Sequence, residues 1–235
     1  EGPKTTITVT VSGTPSAPTV SDVSYCKDDV STALTATASS GNTLVWYDAN
    51  QSELTSGAPT PSTASVGTTT YYVAQQTASG CEGSKSTITV TVNALPVAPS
   101  STSSIEYCKD ATATALTATA SGGHTLVWYG TDGTTVLSGA PTPSTGSVGS
   151  TNYYVAQQNT TTGCEGAKTT ITVTVNALPV APTATTTVDY CQDATATALT
   201  ATASSGHTLV WYGTDGTTVL SGASVPPTST AGSTN

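Results

Sequence analysis

The sequence has no phenylalanine, no methionine and no arginine, and only 8% of its 235 residues are charged. Its 14 acidic residues outnumber its 5 basic ones, which gives a net charge of −9. Phosphate backbones and anionic bilayers repel a chain of this charge, so we expect no binding to nucleic acid. No apolar run approaches the roughly 18 residues that span a bilayer, so we expect no membrane insertion in this segment.

What is present is a chain rich in Thr, Ser, Ala and Val, with 21 Gly and 13 Pro. Thr and Val fit the pleated surface of a strand, whereas Gly and Pro favour turns. This composition predicts an all-β protein.

The chain is built from a long internal repeat. Tyr-Cys recurs at Cys26, Cys108 and Cys191, with spacings of 82 and 83 residues, and "LVWY" recurs at the same spacings. "YYVAQQ" occurs at Tyr71–Gln76 and Tyr153–Gln158 but not in a third copy. Such self-similarity predicts tandem copies of one structural unit.

The repeat phase divides the chain into predicted segments. The opening phrase "TTITVTV" matches the end of a repeat, and "GSTN" at 232–235 matches the residues before "YYVAQQ" at 149–152, so we expect a piece of a longer array. Linkers carry "NALPVAP" or "SGTPSAP", whose prolines favour a semi-rigid extended geometry. The predicted segments are the last strand of a preceding repeat (1–11), a linker (12–19), repeat 1 (20–92), a linker (93–99), repeat 2 (100–175), a linker (176–182) and an incomplete repeat 3 (183–235).

Alternating apolar residues predict the strands of each repeat. In "STITVTV", residues 86–92, Ile88, Val90 and Val92 share one face, and "ALTATA" and "TLVWY" alternate likewise. Short strands separated by turn signals predict antiparallel β-sandwiches in tandem. "TTYYVAQ" is similar to the sixth strand of immunoglobulin variable domains, with Val73 where those domains carry a cysteine. The predicted core residues are Trp46, Trp128 and Trp211, with Tyr71 and Tyr153 as tyrosine corners.

The five cysteines predict disulfides within repeats. Cys26 and Cys81 are 55 residues apart, and Cys108 and Cys164 are 56 apart, so we expect bonds within each of these pairs. Cys191 would then have its partner outside the chain. The absence of C-x-x-C spacing argues against zinc, and disulfides indicate an extracellular protein.

Candidate catalytic and metal-binding residues are few. His124 and His207 are equivalent turn residues, and the sequence holds no other histidine. Asp28, Asp110 and Asp193 follow the first cysteine of each repeat, which leaves calcium at the domain junctions as an alternative. We expect no enzymatic activity, no catalytic site, no metal and no cofactor.

The framework Y-C, L-T-A-T-A, L-V-W-Y, Y-Y-V-A, G-C and T-V-T-V resembles the Ig-like repeats of very large Bacteroidota surface proteins. These include adhesins exported by the type IX secretion system, some of which serve gliding motility. The resemblance implies a non-enzymatic stalk segment of a filamentous adhesin at the cell surface, whose partners are neighbouring repeats and an unknown surface or glycan ligand.

Two alternatives remain open. The modules could bind glycans as accessories of a secreted hydrolase, with Tyr47 and Tyr72 forming an aromatic patch. The chain could also self-associate into a fibre, with residues 1–11 completing the open third repeat of another copy.

Overall fold

The computed structural model describes residues 2–233, in which every regular element is a β-strand. Glu1, Thr234 and Asn235, which belong to the first and last predicted segments, lie outside the described residues. Two compact units are present. The first comprises Glu1–Ile105, Thr114–Pro143 and Ser150–Val173, and the second comprises Glu106–Ala113, Ser144–Gly149 and Thr174–Asn235.

The first repeat is a two-layer sandwich. Its larger sheet has the strand order β2-β7-β6-β4-β5, and β1 pairs with β3 in a smaller sheet. The strand predicted from "ALTATA", residues 33–38, is shortened to β3, which has only two residues. The strands are β1 (Thr19–Val20), β2 (Val23–Cys26), β3 (Ala36–Thr37), β4 (Thr43–Tyr47), β5 (Glu53–Leu54), β6 (Gly67–Gln76) and β7 (Ser86–Asn93).

The closing strand β7 follows the predicted alternation. Its residues Ile88, Val90 and Val92 are buried, while Thr87 is exposed and Thr89 and Thr91 are half-buried. Because successive side chains of a strand point to opposite faces, one face of β7 covers the core and the other carries threonines. The adjacent strand β6 places Tyr71 opposite Ile88.

The core lies between the two sheets. Trp46 and Val73 from the larger sheet pack with Leu34, which precedes β3, and all three are buried. Tyr71 is half-buried against this cluster. Burial of Trp46, and of Val73 at the cysteine position of variable domains, replaces the covalent core of those domains by apolar packing.

One strand pair of the larger sheet is parallel. β2 runs in the same direction as β7, with Val23 opposite Val90 and Cys26 opposite Asn93. The prediction of an antiparallel sandwich therefore holds for the other strand pairs of this sheet but not for β2 with β7. As a result, Cys26 lies at the end of the repeat where β7 finishes and the chain continues into the linker.

The second repeat has the same design. Its larger sheet has the order β12-β11-β13-β14-β9, and β8 pairs with β10. Trp128 is buried and Tyr153 is half-buried, as their counterparts are in the first repeat. The strands are β8 (Ser100–Ser101), β9 (Ser104–Cys108), β10 (Ala118–Thr119), β11 (His124–Tyr129), β12 (Val136–Leu137), β13 (Gly149–Asn159) and β14 (Thr169–Asn176).

The third repeat forms only short strands among residues 183–233. β15 (Thr183–Ala184) pairs with β16 (Ala201–Thr202), and β17 (Trp211–Tyr212) pairs with β18 (Val219–Leu220). The predicted core residue Trp211 is half-buried, and Tyr212 is 52% exposed, against 7% for its counterpart Tyr47. In the first repeat, β6 pairs with the strand that holds Trp46 and Tyr47, and the described part of the third repeat has no equivalent strand.

Candidate functional site at the repeat junction

A disulfide joins the first repeat to the second. Cys26 at the end of β2 is bonded to Cys164, which follows β13, across a sequence separation of 138 and a Cα–Cα distance of 5.5 Å. The predicted pairs Cys26–Cys81 and Cys108–Cys164 are therefore wrong in this structure. Cys81, Cys108 and Cys191 are free thiols.

The direction of β2 explains why Cys26 is bonded to Cys164. Cys26 lies beside Asn93 at the exit end of β7, and Lys27 N donates to the Asn93 carbonyl at 2.9 Å. Cys81 precedes Ser86, the first residue of β7, and seven residue steps of about 3.3 Å separate the ends of that strand by about 23 Å. A disulfide needs Cα atoms within about 7 Å, so Cys26 reaches only the following repeat.

The glycine after each second cysteine lets the linker pack closely. A Cβ on Gly166 would overlap the Pro96 carbonyl oxygen and lie 2.9 Å from its carbon, and Gly83 has the same relation to Pro15. Gly166 N also donates to the Gln157 carbonyl at 2.9 Å. Only a residue without a side chain fits between the linker and the strand at this position.

A buried glutamine holds the linker from the other side. The Gln157 side chain donates from Nε2 to the Val97 carbonyl at 2.7 Å and accepts from Ser121 N at 2.7 Å through Oε1. Gln75 makes the same two bonds in the first repeat, to the Ser16 carbonyl at 3.0 Å and from Ser39 N at 2.6 Å. Both glutamines are buried with their hydrogen bonds satisfied, as a polar group inside a protein requires.

A third contact completes the attachment. Thr169 Oγ1 donates to the Pro99 carbonyl at 2.6 Å, and Ser86 Oγ donates to the Pro18 carbonyl at 2.5 Å. Three contacts therefore fix each of these linkers to the repeat that follows it. Together with the disulfide they make the junction between repeats 1 and 2 a fixed connection.

The segment that follows Cys164, with Glu165 and Lys168, covers a buried tyrosine. The Tyr129 hydroxyl donates to Glu165 at 2.5 and 2.6 Å, and Lys168 Nζ lies 3.6 Å from the Tyr129 ring centroid. Burial, and then the hydrogen bond with Glu165, raise the pKa of Tyr129 to about 12. A carboxylate held beside a buried phenol disfavours the phenolate, so this tyrosine stays neutral and structural.

Tyr47, Glu82 and Lys85 form the equivalent cluster in the first repeat. The predicted aromatic patch for glycans needed Tyr47 and Tyr72 on the surface. Tyr47 is buried, and burial, then its bond to Glu82, raise its pKa. Tyr129 is buried likewise, so in these two repeats this member of the patch is not available to a ligand.

The residues considered for catalysis or metal binding have local roles. The His124 and His207 rings each contact a carbonyl oxygen of their own turn, at Gly122 and Ser205. Asp28, Asp110 and Asp193 have φ values of 66°, 62° and 61°, so they form a left-handed turn after the first cysteine. Across residues 2–233 no group of three or more His, Cys, Asp or Glu is placed to hold a metal ion.

Within the part of the chain that the structure describes, no helix has both the length and the apolar character needed to cross a bilayer.

Comparison with known proteins agrees with the fold. A family model described as "Ig-like domain CHU_C associated" matches residues 15–94 and 96–177, more than half of the chain. The chain belongs to this family of Ig-like domains. The two matched ranges include the strands of the two five-stranded sheets.

Solved structures similar to this Ig-like chain have low identity. The fibronectin(III)-like modules of Clostridium thermocellum CbhA are 17% identical, with a TM-score of 0.38, over 67% of this chain and 91% of that one. The I-band fragment I67–I69 of titin is 15% identical, with a TM-score of 0.30, over 70% of this chain and 66% of that one. None of the curated protein sequences matches the chain.

Sequence reasoning missed Gln75, Gln157, Gly83 and Gly166. A signal for them was available, because "YYVAQQ" and "CEG" are identical in the two copies while the turns between them vary in length and composition.

Proposed function

We propose that the chain is a non-enzymatic spacer segment of an extracellular adhesin, in which Ig-like modules in series hold an adhesive part away from a cell surface. The observation that carries the proposal is the bond from Cys26 to Cys164, which ties one module to the next. Disulfides persist mainly outside the cytosol, which supports an extracellular location. The resemblance to Bacteroidota adhesins supports a bacterial surface, with export by the type IX system and a role in gliding motility as the finer assignment.

The fixed junction suits a spacer. A flexible connection would let neighbouring modules fold back on each other, whereas three contacts at Gly166, Gln157 and Thr169 hold the linker onto the second repeat. In a chain-entropy treatment, a bridge that closes a loop of 138 residues stabilises the folded state by about 5 kcal/mol. Stability of this size compensates for the small apolar core of each module.

The bond also determines how the segment responds to tension. A force applied at the two ends of the chain crosses from residue 26 to residue 164 through the sulfur bridge, so the residues between them carry no load. Opening the bond releases about 480 Å of chain, since the 138 residues extend by roughly 3.5 Å each. Such a module resists lengthening while it is oxidised.

Single-molecule pulling tests this proposal. We expect the fully stretched oxidised chain to be shorter than the reduced chain by about 480 Å. Cys26→Ser should give the long form in both redox states, whereas Cys108→Ser should leave the difference unchanged. Equal lengths for the oxidised and reduced wild-type chains would contradict the load-sharing role.

A further inference from the structure

Two of the free cysteines occupy positions equivalent to the two ends of the observed disulfide. Cys108 is the first cysteine of the second repeat, as Cys26 is of the first, and we call these first-position cysteines. Cys81 is the second cysteine of the first repeat, as Cys164 is of the second, and we call these second-position cysteines. The observed bond joins a first-position cysteine to the second-position cysteine of the next repeat.

The end of a closing strand marks where a first-position cysteine lies. Cys26 is opposite Asn93, the last residue of β7, and Lys27 N donates to the Asn93 carbonyl. Lys109 N donates in the same way to the Asn176 carbonyl, at 2.8 Å, so Cys108 adjoins the end of its own closing strand.

Residues 5–12, "TTITVTVS", match the closing strands "STITVTVN" and "TTITVTVN", with Ser12 at the position of Asn93. Ile7, Val9 and Val11 are 84%, 81% and 92% exposed, whereas the matching residues Ile88, Val90 and Val92 are 0%, 1% and 5% exposed. The apolar face of residues 5–12 therefore lacks the sheet that covers the other closing strands.

The Cys81 thiol lies next to the end of this uncovered strand. Its Sγ atom is 3.8 Å from the Ser12 carbonyl oxygen. A repeat that used residues 5–12 as its closing strand would place its first-position cysteine beside Ser12, as Cys26 lies beside Asn93. That cysteine would then face Cys81 as Cys26 faces Cys164.

We infer that Cys81 is a cross-linking site, whose partner is the first-position cysteine of the Ig-like repeat that residues 5–12 close. The bond forms when two thiols lose two electrons and two protons to a small-molecule disulfide oxidant, which leaves as two thiols. By the same relation, Cys108 is the first-position partner of a second-position cysteine in the repeat that follows it. Every junction of such an array then carries one bridge, whether or not the array bears load.

An extended chain tests the inference. A copy of residues 93–164 joined directly in front of Glu1 supplies a preceding repeat with its own first-position cysteine and restores the sequence "CEG" at the join. The protein is folded with oxidised and reduced glutathione, its remaining thiols are alkylated, and its disulfide-linked peptides are identified by mass spectrometry.

We expect two bonds, Cys26–Cys164 and one between the first-position cysteine of the added repeat and Cys81, which leaves three of the seven cysteines alkylated. In the matched control, Cys81→Ser in the extended chain, the first-position cysteine of the added repeat should be alkylated instead. A non-reducing gel separates the two sources of the partner, because a bond within one chain gives a monomer and a bond to a second copy gives a dimer.

The inference is overturned if the added first-position cysteine bonds the second cysteine of its own repeat. It is also overturned if Cys81 is alkylated in full, or if it bonds the Cys81 of a second chain.

Discussion

Gly166 lies directly against Pro96, so that a Cβ at position 166 would be 2.9 Å from the Pro96 carbonyl carbon. This contact fixes the linker between the first two repeats to the sheet of the second. It depends on the absence of a side chain, which makes it a sensitive point of the junction.

Gly166→Ala should therefore destabilise the second repeat by about 1–3 kcal/mol, because the linker backbone must move to admit a methyl group. Gly122→Ala is a matched control, since a Cβ there meets nothing within 4 Å. Urea unfolding followed by tryptophan fluorescence compares the two variants. Equal urea midpoints for the two variants would show that the linker backbone moves without a loss of stability.

Gln157→Leu should cost about 2–4 kcal/mol in free energy of unfolding. The substitution leaves the Val97 carbonyl and Ser121 N without their side-chain partner, and each unsatisfied buried group costs roughly 1–3 kcal/mol. Gln158→Leu is the control, because the neighbouring Gln158 makes an exposed bond to the Gly163 carbonyl. A loss of similar size in both variants would contradict the role of Gln157.

The disulfide can be tested by counting thiols and by removing it. Denatured, unreduced protein should take up three alkyl groups, at Cys81, Cys108 and Cys191. Cys26→Ser should lower the melting temperature by an amount equivalent to about 2–5 kcal/mol, whereas Cys108→Ser should leave it nearly unchanged. A protein that takes up one alkyl group, or a destabilised Cys108→Ser variant, would instead favour bonds within repeats.

The tyrosine–glutamate cluster predicts a loss of stability at high pH. The folded-state pKa of Tyr129 is about 12, above its ordinary value of about 10. The stabilising contribution of the neutral phenol is therefore complete below about pH 10 and is lost as the pH rises toward 12.

With the free thiols alkylated, the urea midpoint of the wild type should fall more steeply between pH 10 and 12 than that of Tyr129→Phe. Glu165→Gln should bring the pKa of Tyr129 closer to its ordinary value, as measured by the absorbance of tyrosinate. An unchanged titration in that variant would remove Glu165 as a cause of the shift.

Alternation of side chains was enough to predict the strands and most of the core. Ile88, Val90 and Val92 repeat with period two and are buried, and Trp46 and Trp128 are buried as well. The direction of β2 was not predictable in this way, because a strand has the same alternation in both directions. The predicted cysteine pairs rested on spacing alone, and the parallel direction of β2 places Cys26 beside Asn93, at the end of β7 that is farther along the chain from Cys81.

Near-identical copies add a second ambiguity. A contact between Cys26 and the second cysteine of its own repeat uses the same residue types as a contact with the next repeat. Neither the separation of 55 residues between Cys26 and Cys81 nor that of 138 residues between Cys26 and Cys164 excludes a disulfide, and the paired backbone of Cys26 and Asn93 distinguishes the two pairings.

The bridge from Cys26 to Cys164 closes a covalent ring that contains the whole linker between the first two repeats. Leu95 and Val97 of that linker are 42% and 72% exposed, whereas the Val97 carbonyl between the two repeats is bonded to buried Gln157. A single peptide bond hydrolysed anywhere in the ring opens it without separating the fragments. The oxidised molecule gains one water molecule in such a cut and remains a single covalent unit, and it separates into two pieces only when the sulfur bond is also reduced.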